Sequence, residues 1–478
     1  MDDFKITLAI ILIPLLGAFF IPILGRISVR VRNLSAFSFI LIPLILSLKL
    51  FPQAVKGSGV VSVFQMFPGI NFSFVTDGLA LFMAATSSLI SAVIMVYSFE
   101  YISHYENQNE YYAMVVLFLG SMMGIIFSAN LILLYVFWEI TALASWRLIG
   151  FYRGDTDMLR ANKAFLITVF GALVMLVGFI GLYQQTGSFD LPDIKIVLKA
   201  AALPNILVCL ILFGILSKSA TLPFQTWLPD AGVAPSPVTA LLHAAVLVKI
   251  GVYVFARLFI GTFTIAPVWQ YLIPSIAAIS AIVSGGAALL EVDIKRIVAY
   301  STISQIGFIF FGLSIGSNIG VAGALLLILM HGIAKAGLFL CAGVVEQNTK
   351  IKDITKLGGL IRTMPVTAVS FLLCAFSIMG IPPFGGFFSK YLLFSGSFDS
   401  GHFIIGLVFL VGAFLTILYL FRVFNLVFLG NAKVISKEGS AAMVGSVAFL
   451  GILSFVLGIF INYPLDLVTR VIKQMAAS

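Results

Sequence analysis

A chain of 478 residues that is 61% hydrophobic and only 10% charged has too few polar side chains to cover a water-soluble fold, so it belongs in a bilayer. Its formal charge of +9 reads as loop charge, because no basic run is interleaved with aromatics as a single-strand nucleic-acid platform requires. The 42 glycines suit close helix packing in lipid, and Cys209, Cys341 and Cys374 stand alone in apolar runs without metal or redox spacing.

The amino end carries Asp2, Asp3 and Lys5 before its apolar run, and no small-residue cleavage site follows. It reads as a first span rather than a signal peptide. Apolar runs then cover 5–25, 33–51, 77–98, 111–129, 131–150, 161–184, 203–223, 237–260, 267–290, 295–315, 319–345, 364–389, 402–428 and 441–463. That makes about fourteen spans of about twenty residues, the length a hydrocarbon core needs. Residues 57–76 carry Gly, Ser and Pro and partly alternate, which predicts a β-hairpin or an ordered loop outside the membrane. The chain ends soon after the last run, and no soluble domain is expected.

Lys and Arg divide the loops into two sets. One holds Arg26, Arg30, Arg32, Arg147, Arg153, Arg160, Lys163, Lys295, Arg296, Lys350, Lys352, Lys356, Arg362, Lys433 and Lys437; the other holds mainly Lys5, Lys56, Lys195, Lys199, Arg470 and Lys473. The first set faces the cytoplasm by the positive-inside rule, which leaves both termini outside.

Two spans are interrupted. One breaks at Pro223 after Lys218; the other breaks at Gly380-Ile381-Pro382-Pro383, just before Lys390. Proline removes a backbone donor, and in lipid the freed carbonyls are tolerated only where protein or water satisfies them. Two broken helices five spans apart, each with a lysine, predict an inverted repeat of the kind transporters build around a mid-membrane site.

Charges inside spans are costly and default to function. Glu139 lies mid-span, either as a switch beside Lys218 or as a structural partner for an arginine or helix end. For a lysine so placed, a nearby carboxylate favours the charged form and desolvation the neutral one. Lys249 is too deep to snorkel easily. His243 precedes it by six residues, about 9 Å along a helix, as a secondary relay or as a packing histidine. His331 and Lys335 share one helix face, too sparse for a metal, with a snorkelling Lys335 as the alternative. Lys390 ends the line. Arg147, Lys295 and Arg296, near span ends, read as interfacial, and Asp230 as a loop cap or anchor. There is no phosphate loop, nucleophile elbow, cysteine cluster or supported haem histidine pair. The chain is expected to hold no cofactor, to handle neither electrons nor ATP, and to bind no nucleic acid.

At Phe137-Trp138-Glu139, Lys218-Ser-Ala-Thr-Leu-Pro223-Phe-Gln-Thr-Trp227-Leu-Pro229-Asp230, Pro235-Ser-Pro237-Val-Thr-Ala-Leu-Leu-His243, Asp293-Ile-Lys295-Arg296 through Gly307, and Gly380-Ile-Pro382-Pro383 the sequence resembles the antiporter-like proton-translocating subunits. These are shared by respiratory complex I, Mrp-type Na+/H+ antiporters (in their D-like subunits) and membrane-bound energy-converting hydrogenases. The resemblance implies an all-α membrane fold of fourteen helices with two inverted five-helix repeats. It assigns 1–129 to amino-terminal helices, 130–260 and 261–428 to the two half-channel repeats and 429–478 to a carboxy-terminal helix. It implies a proton path through Glu139, Lys218, Lys249, His331, Lys335 and Lys390. The chain departs from some members in having Lys390 where they have an acid, and in lacking a long lateral helix; Thr141 to Arg147 looks more like the hydrogenase-type subunits.

The expected function is proton movement, with Na+ open as a second ion, within a redox-driven complex of a bacterial or archaeal inner membrane. Its partners would be other membrane subunits, homologous ones included, and the lipid bilayer. The alternatives are a component of an Mrp-type antiporter and a structural component beside an active homologue.

Overall fold

The computed structural model describes residues 3–57, 59–67, 70–199, 202–434 and 436–477. Its elements are α1 (Asp3–Ile27), α2 (Val29–Ala54), the antiparallel hairpin β1 (Val60–Phe67) and β2 (Ile70–Thr76), α3 (Gly78–Tyr101), α4 (Gln108–Phe127), α5 (Leu131–Ile149), α6 (Asp155–Thr186) and the short α7 (Leu191–Leu198). There follow α8 (Asn205–Lys218), the single turn α9 (Trp227–Asp230), α10 (Ser236–Ala240), α11 (Leu247–Phe255), α12 (Trp269–Leu290), α13 (Ile294–Ser314) and α14 (Asn318–Thr349). The chain closes with α15 (Pro365–Met379), α16 (Gly385–Asp399), α17 (Phe403–Phe428), α18 (Ala441–Ile459) and α19 (Asn462–Ala477). The hairpin expected over 57–76 is present.

Among the described residues, twelve helical stretches are long and apolar enough to cross a membrane. Two of the fourteen expected spans, 203–223 and 364–389, are instead the shorter apolar helices α8 and α15, each followed by a break. In the carboxy-terminal segment α18 is long and apolar enough to cross a membrane, and the helix α19 follows it.

Both breaks stop the helix in the same way. In α15, Gly380 turns left-handed (φ 81°) and Ile381 N–H reaches back to Phe376 C=O at 3.0 Å, which closes the helix end. In α8 the left-handed residue is Ala220 (φ 52°), with Thr221 N–H on Leu216 C=O at 3.0 Å. The first helix therefore ends at Lys218, ahead of Pro223. Proline forbids resumption there but does not make the stop.

The polar ends form two faces. At the basic face, Glu110 pairs with Arg147 and, at 2.7 Å, with Arg153; Asp230 joins Lys163 (2.7 Å) and Arg296 (2.9 Å). Asp230 thus anchors its loop, as expected. At the hairpin face, Thr7 meets Thr76 at 2.7 Å, and Gln474 accepts from Gly78 N–H at 2.6 Å, so both ends of the described chain lie on one face.

Paired short bridges recur on opposite faces. Asn130 bridges Asp190 at the hairpin face, where Leu131 N–H and Leu191 N–H bond Phe189 C=O and Ala129 C=O. Asp293 bridges Asp353 at the basic face, where Ile294 N–H and Ile354 N–H bond Lys352 C=O and Val292 C=O. Asn130 caps α5 and Asp293 caps α13 with their side chains.

Packing sorts the helices. Over an eighteen-residue apolar segment of each, the stretch from Ser236 to Ile260 is 100% buried inside the protein and α13 and α14 are each 94% buried, against 28% for α2 and 33% for α17. The polar groups on the central helices therefore lie in protein, not lipid.

One buried ion pair ties the hairpin face to that centre. Arg257 meets both oxygens of Asp77, the cap of α3, and also donates to Tyr253 Oη at 3.0 and 2.8 Å. Burial pushes the Asp77 carboxyl up, but the Arg257 charge, its hydrogen bond and two backbone N–H donors outweigh this and hold it below the usual aspartate range. A carboxyl depressed in the folded state contributes stability above its unfolded pKa and loses it as pH falls through the folded value. Asp77→Asn should cost roughly 3 kcal/mol at neutral pH by leaving Arg257 unpaired, and the difference from the parent should shrink below about pH 4. Thermal unfolding in detergent across pH checks both.

Candidate functional site

Lys218, Lys249, Lys335 and Lys390 are all buried, with exposures of 0%, 1%, 0% and 4%. Lys218 lies thirteen residues along α8 and Lys249 thirteen residues after the start of α10, about 20 Å in each case; Lys335 lies seventeen residues along α14, about 26 Å, and Lys390 five residues into α16, about 8 Å from the break. Lys335 does not snorkel.

Each ammonium is docked on the backbone of a neighbouring helix. Lys218 Nζ donates to Trp138 C=O on α5 at 3.3 Å and lies 5.4 Å from the Trp138 ring centre. Lys249 Nζ donates to Ile328 C=O on α14. Lys335 Nζ donates to Val298 C=O (3.1 Å) and Ser301 Oγ (2.5 Å) on α13. Lys390 Nζ donates to Ile378 C=O (2.8 Å) and Met379 C=O (3.2 Å), the carbonyls at the broken end of α15. Carbonyls satisfy the donors without neutralising the charge, so each proton is held but not trapped by a carboxylate.

Glu139 on α5 is partly exposed, one turn after Tyr135, and its Oε1 is buried without a hydrogen-bond partner among the described residues. It makes no ion pair with Lys218 within 4.0 Å in this state, although Lys218 is docked on the adjoining residue.

His243 and His331 are both 0% exposed, and neither ring nitrogen of either has a protein hydrogen-bond partner among the described residues. The His243 ring packs on Phe339 with centres 4.5 Å apart. Buried polar groups are almost always satisfied by protein or ordered water, so these imidazoles require water beside them. Around His243 the helix widens into a π turn over Leu241–Ala245, and Val246, before Lys249, leaves helical geometry (φ −125°, ψ −73°). Such bulges free carbonyls and cluster at functional sites. Gly332 leaves room for Lys249, since a Cβ there would lie 3.1 Å from Nζ.

The structure also adds residues. Beyond Lys335, Ser301 accepts from Tyr419 Oη at 2.7 Å, Tyr419 reaches Thr416 at 3.3 Å, and Thr416 accepts from Gln305 at 3.2 Å. Ser87, Ser88 and Ser91 on α3 are buried, and their hydroxyls have no hydrogen-bond partner among the described residues. A run of hydroxyls inside an apolar span was the available signal. The interfacial reading of Lys295 is corrected: it is 1% exposed, paired with Glu346 at 3.0 Å and bonded to Ala234 C=O at 2.9 Å. A lysine two residues into a helix looks interfacial by position, but α9 to α10 folds over it. Arg147 and Arg296 lie at the basic face in ion pairs. Among the described residues no three His, Cys, Asp or Glu side chains converge as a metal site.

The second break depends on close contact. A Cβ on Gly386 would fall 1.8 Å from Ser377 C=O, next to the carbonyls of Ile378 and Met379 that hold Lys390. Gly386→Ala should force α16 off the end of α15, costing about 1–3 kcal/mol. A lowered melting temperature in detergent is the expected result.

The chain matches the family model described as NADH:quinone oxidoreductase/Mrp antiporter, TM over residues 128–416, and that of the amino-terminal part of NADH-ubiquinone oxidoreductase (complex I) chain 5 over 67–112. It is 38% identical over 408 residues to the L subunit of NADH-quinone oxidoreductase from Campylobacter jejuni, spanning 84% of this chain and 67% of that one. It is 34% identical over 490 residues to a component of the Na(+)/H(+) antiporter from Alkalihalophilus pseudofirmus, its A subunit, spanning 94% of this chain and 60% of that one. The chain thus spans about three fifths to two thirds of these curated relatives. Its fold is shared with a chain of the Mrp complex from Dietzia sp. (TM-score 0.89, 21% identity, 99% of this chain and 97% of that one). It is shared equally with a chain of the membrane-bound sulfane sulfur reductase, an archaeal respiratory membrane complex (TM-score 0.90, 24% identity, 98% of each).

Proposed function

Because the chain belongs to the NADH:quinone oxidoreductase/Mrp antiporter transmembrane family, we propose that it is the proton-translocating membrane subunit of a redox-driven ion-pumping complex. The observation that carries this reading is the set of four buried lysines held by neutral carbonyls at mid-depth, with His243 and His331 unpartnered among them. An inert scaffold has no use for charges that cost several kcal/mol each to bury.

Protons enter from the basic face, taken as cytoplasmic, and both termini lie outside. Lys218, Lys249, His331, Lys335 and Lys390 form one hydrated axis along the membrane plane, with an exit near Lys390. Glu139 modulates Lys218. The axis joins two inverted repeats, 130–260 and 261–428. The mirrored bridges Asn130–Asp190 and Asp293–Asp353 support that symmetry, as does the opposite course of α8 and α15 toward their breaks. The antiporter relatives favour a second reading, membership of a multisubunit Na+/H+ antiporter. The same axis then runs on the opposing ion gradient.

Lys249→Ala should abolish coupled proton uptake by vesicles carrying the assembled complex. Lys249→Arg should fail too, because a guanidinium stays protonated and cannot relay. Glu139→Gln should stop coupling while assembly persists. Unimpaired uptake in both Lys249 variants would show that Lys249 is structural. Acceleration by a sodium gradient without a redox substrate would favour the antiporter reading.

A further inference from the structure

The buried Lys295–Glu346 pair joins the first turn of α13 to the last turn of α14 at the basic face, and the proton line as read above does not use it. Lys352 joins Glu346 from the surface at 3.0 Å, Lys295 from beneath at 3.0 Å, and Ser236 Oγ donates to Glu346 Oε2 at 3.2 Å. Lys295 is 1% exposed while the Lys352 side chain is 40% exposed, so Glu346 stands between solvent and the interior.

Two helices lead inward from this pair to the same group. Along α14, Phe339 lies seven residues before Glu346, about 10 Å deeper. Along α10 and its π turn, His243 lies seven residues after Ser236, about 10 Å deeper as well. His243 and Phe339 are the residues whose rings pack together, tilted at 41°. The imidazole therefore sits directly inward of the ion pair. Between them is Tyr97 of α3, fully buried, its hydroxyl on Leu340 C=O at 3.0 Å. Gly343 brings these parts together: a Cβ there would lie 2.6 Å from both Tyr97 Oη and Ser236 Cβ. Glu346, the Ser236 and Tyr97 hydroxyls and the open nitrogens of His243 thus line one short inward column.

We propose that Glu346, gated by Lys295, is the proton intake at the basic face, and that it loads His243 through Ser236, Tyr97 and intervening water. The proposal rests on the translocation reading above. A hydronium at the face gives its proton to the Glu346 carboxylate and leaves as water. The new O–H bond weakens the hold on Lys295. That bond breaks as its proton moves inward, each hydroxyl or water accepting one proton and passing on another, until an N–H forms on His243. Glu346 is then a carboxylate again and re-pairs with Lys295, which closes the column behind the proton.

The test is proton uptake by inverted vesicles carrying the assembled complex, with Lys249→Ala beside each variant. Glu346→Gln keeps an acceptor for Ser236 and Lys295 but cannot ionise. It should slow uptake about tenfold or more and make the remaining rate rise with proton concentration at the basic face, as expected when intake becomes limiting. Glu346→Asp should restore at least half of the parental rate. Ser236→Ala with Tyr97→Phe leaves every charge in place and should slow uptake similarly. If Glu346→Gln keeps the parental rate and pH profile, or the hydroxyl double variant does where Glu346→Gln fails to assemble, the intake lies elsewhere and the proposal is overturned. If Lys249→Ala also pumps normally, the translocation reading itself fails.

Discussion

The interior is organised around ammonium groups that have carbonyls, not carboxylates, as partners. Each lysine reaches from its own helix to the backbone of another: α8 to α5, α11 to α14, α14 to α13, α16 to α15. A carboxylate at each site would hold the proton more firmly, since a nearby opposite charge favours the charged form of the lysine. A carbonyl accepts the donor and leaves the net charge exposed to its neighbours. In a low-dielectric interior, a proton arriving at one site then raises the energy of a proton at the next. The breaks serve the same end. The carbonyls that hold Lys390 are those set free where α15 stops, so the interruption of the helix makes the binding site rather than merely tolerating it.

This constraint accounts for where true ion pairs are found. Among the described residues, Asp230, Glu110, Glu291, Glu346 and Asp353 pair at the basic face, and Asp77 and Asp466 elsewhere; none of these pairs contains Lys218, Lys249, Lys335 or Lys390. Paired charges fix the ends of the helices against one another. Unpaired ones occupy the middle. Glu139 is the exception in depth, and it avoids pairing by lying partly exposed on α5.

Much of this was legible in the residues. Length and apolarity marked the spans, since a hydrocarbon core leaves little choice of length or composition. Charged side chains in apolar runs marked Glu139, Lys218, Lys249, Lys335 and Lys390, because few structural uses justify their cost. The double proline at Pro382 marked one break. The other was misplaced by several residues because Ala220, which turns left-handed, carries no glycine signal. Lys295 was misjudged because burial near a helix end is set by what folds over it, and α9 and α10 come from a distant part of the chain. The hydroxyls of Ser301, Tyr419 and Thr416 were missed for a related reason. Single hydroxyls are common in membrane helices, and only their convergence from α13 and α17 distinguishes them.

Paired lysines near the faces and docked lysines in the middle form a gradient of restraint from face to centre. Lys352 and Lys163 are surface-exposed and screened by solvent; Lys295 is buried but paired; Lys249 and Lys335 are buried with neutral partners only. A proton taking the proposed route would pass from groups whose charge is balanced to groups whose charge is not. It becomes more strongly coupled to other charges as it goes, because the dielectric falls along the way. Occupancy of one central site can then govern its neighbours, which a uniform row of salt bridges would prevent. On the proposed reading, enclosure would favour transmission along the membrane plane over leakage straight across it, since α10, α11, α13 and α14, which carry Lys249, Lys335 and both unpartnered histidines, are those most completely enclosed by protein.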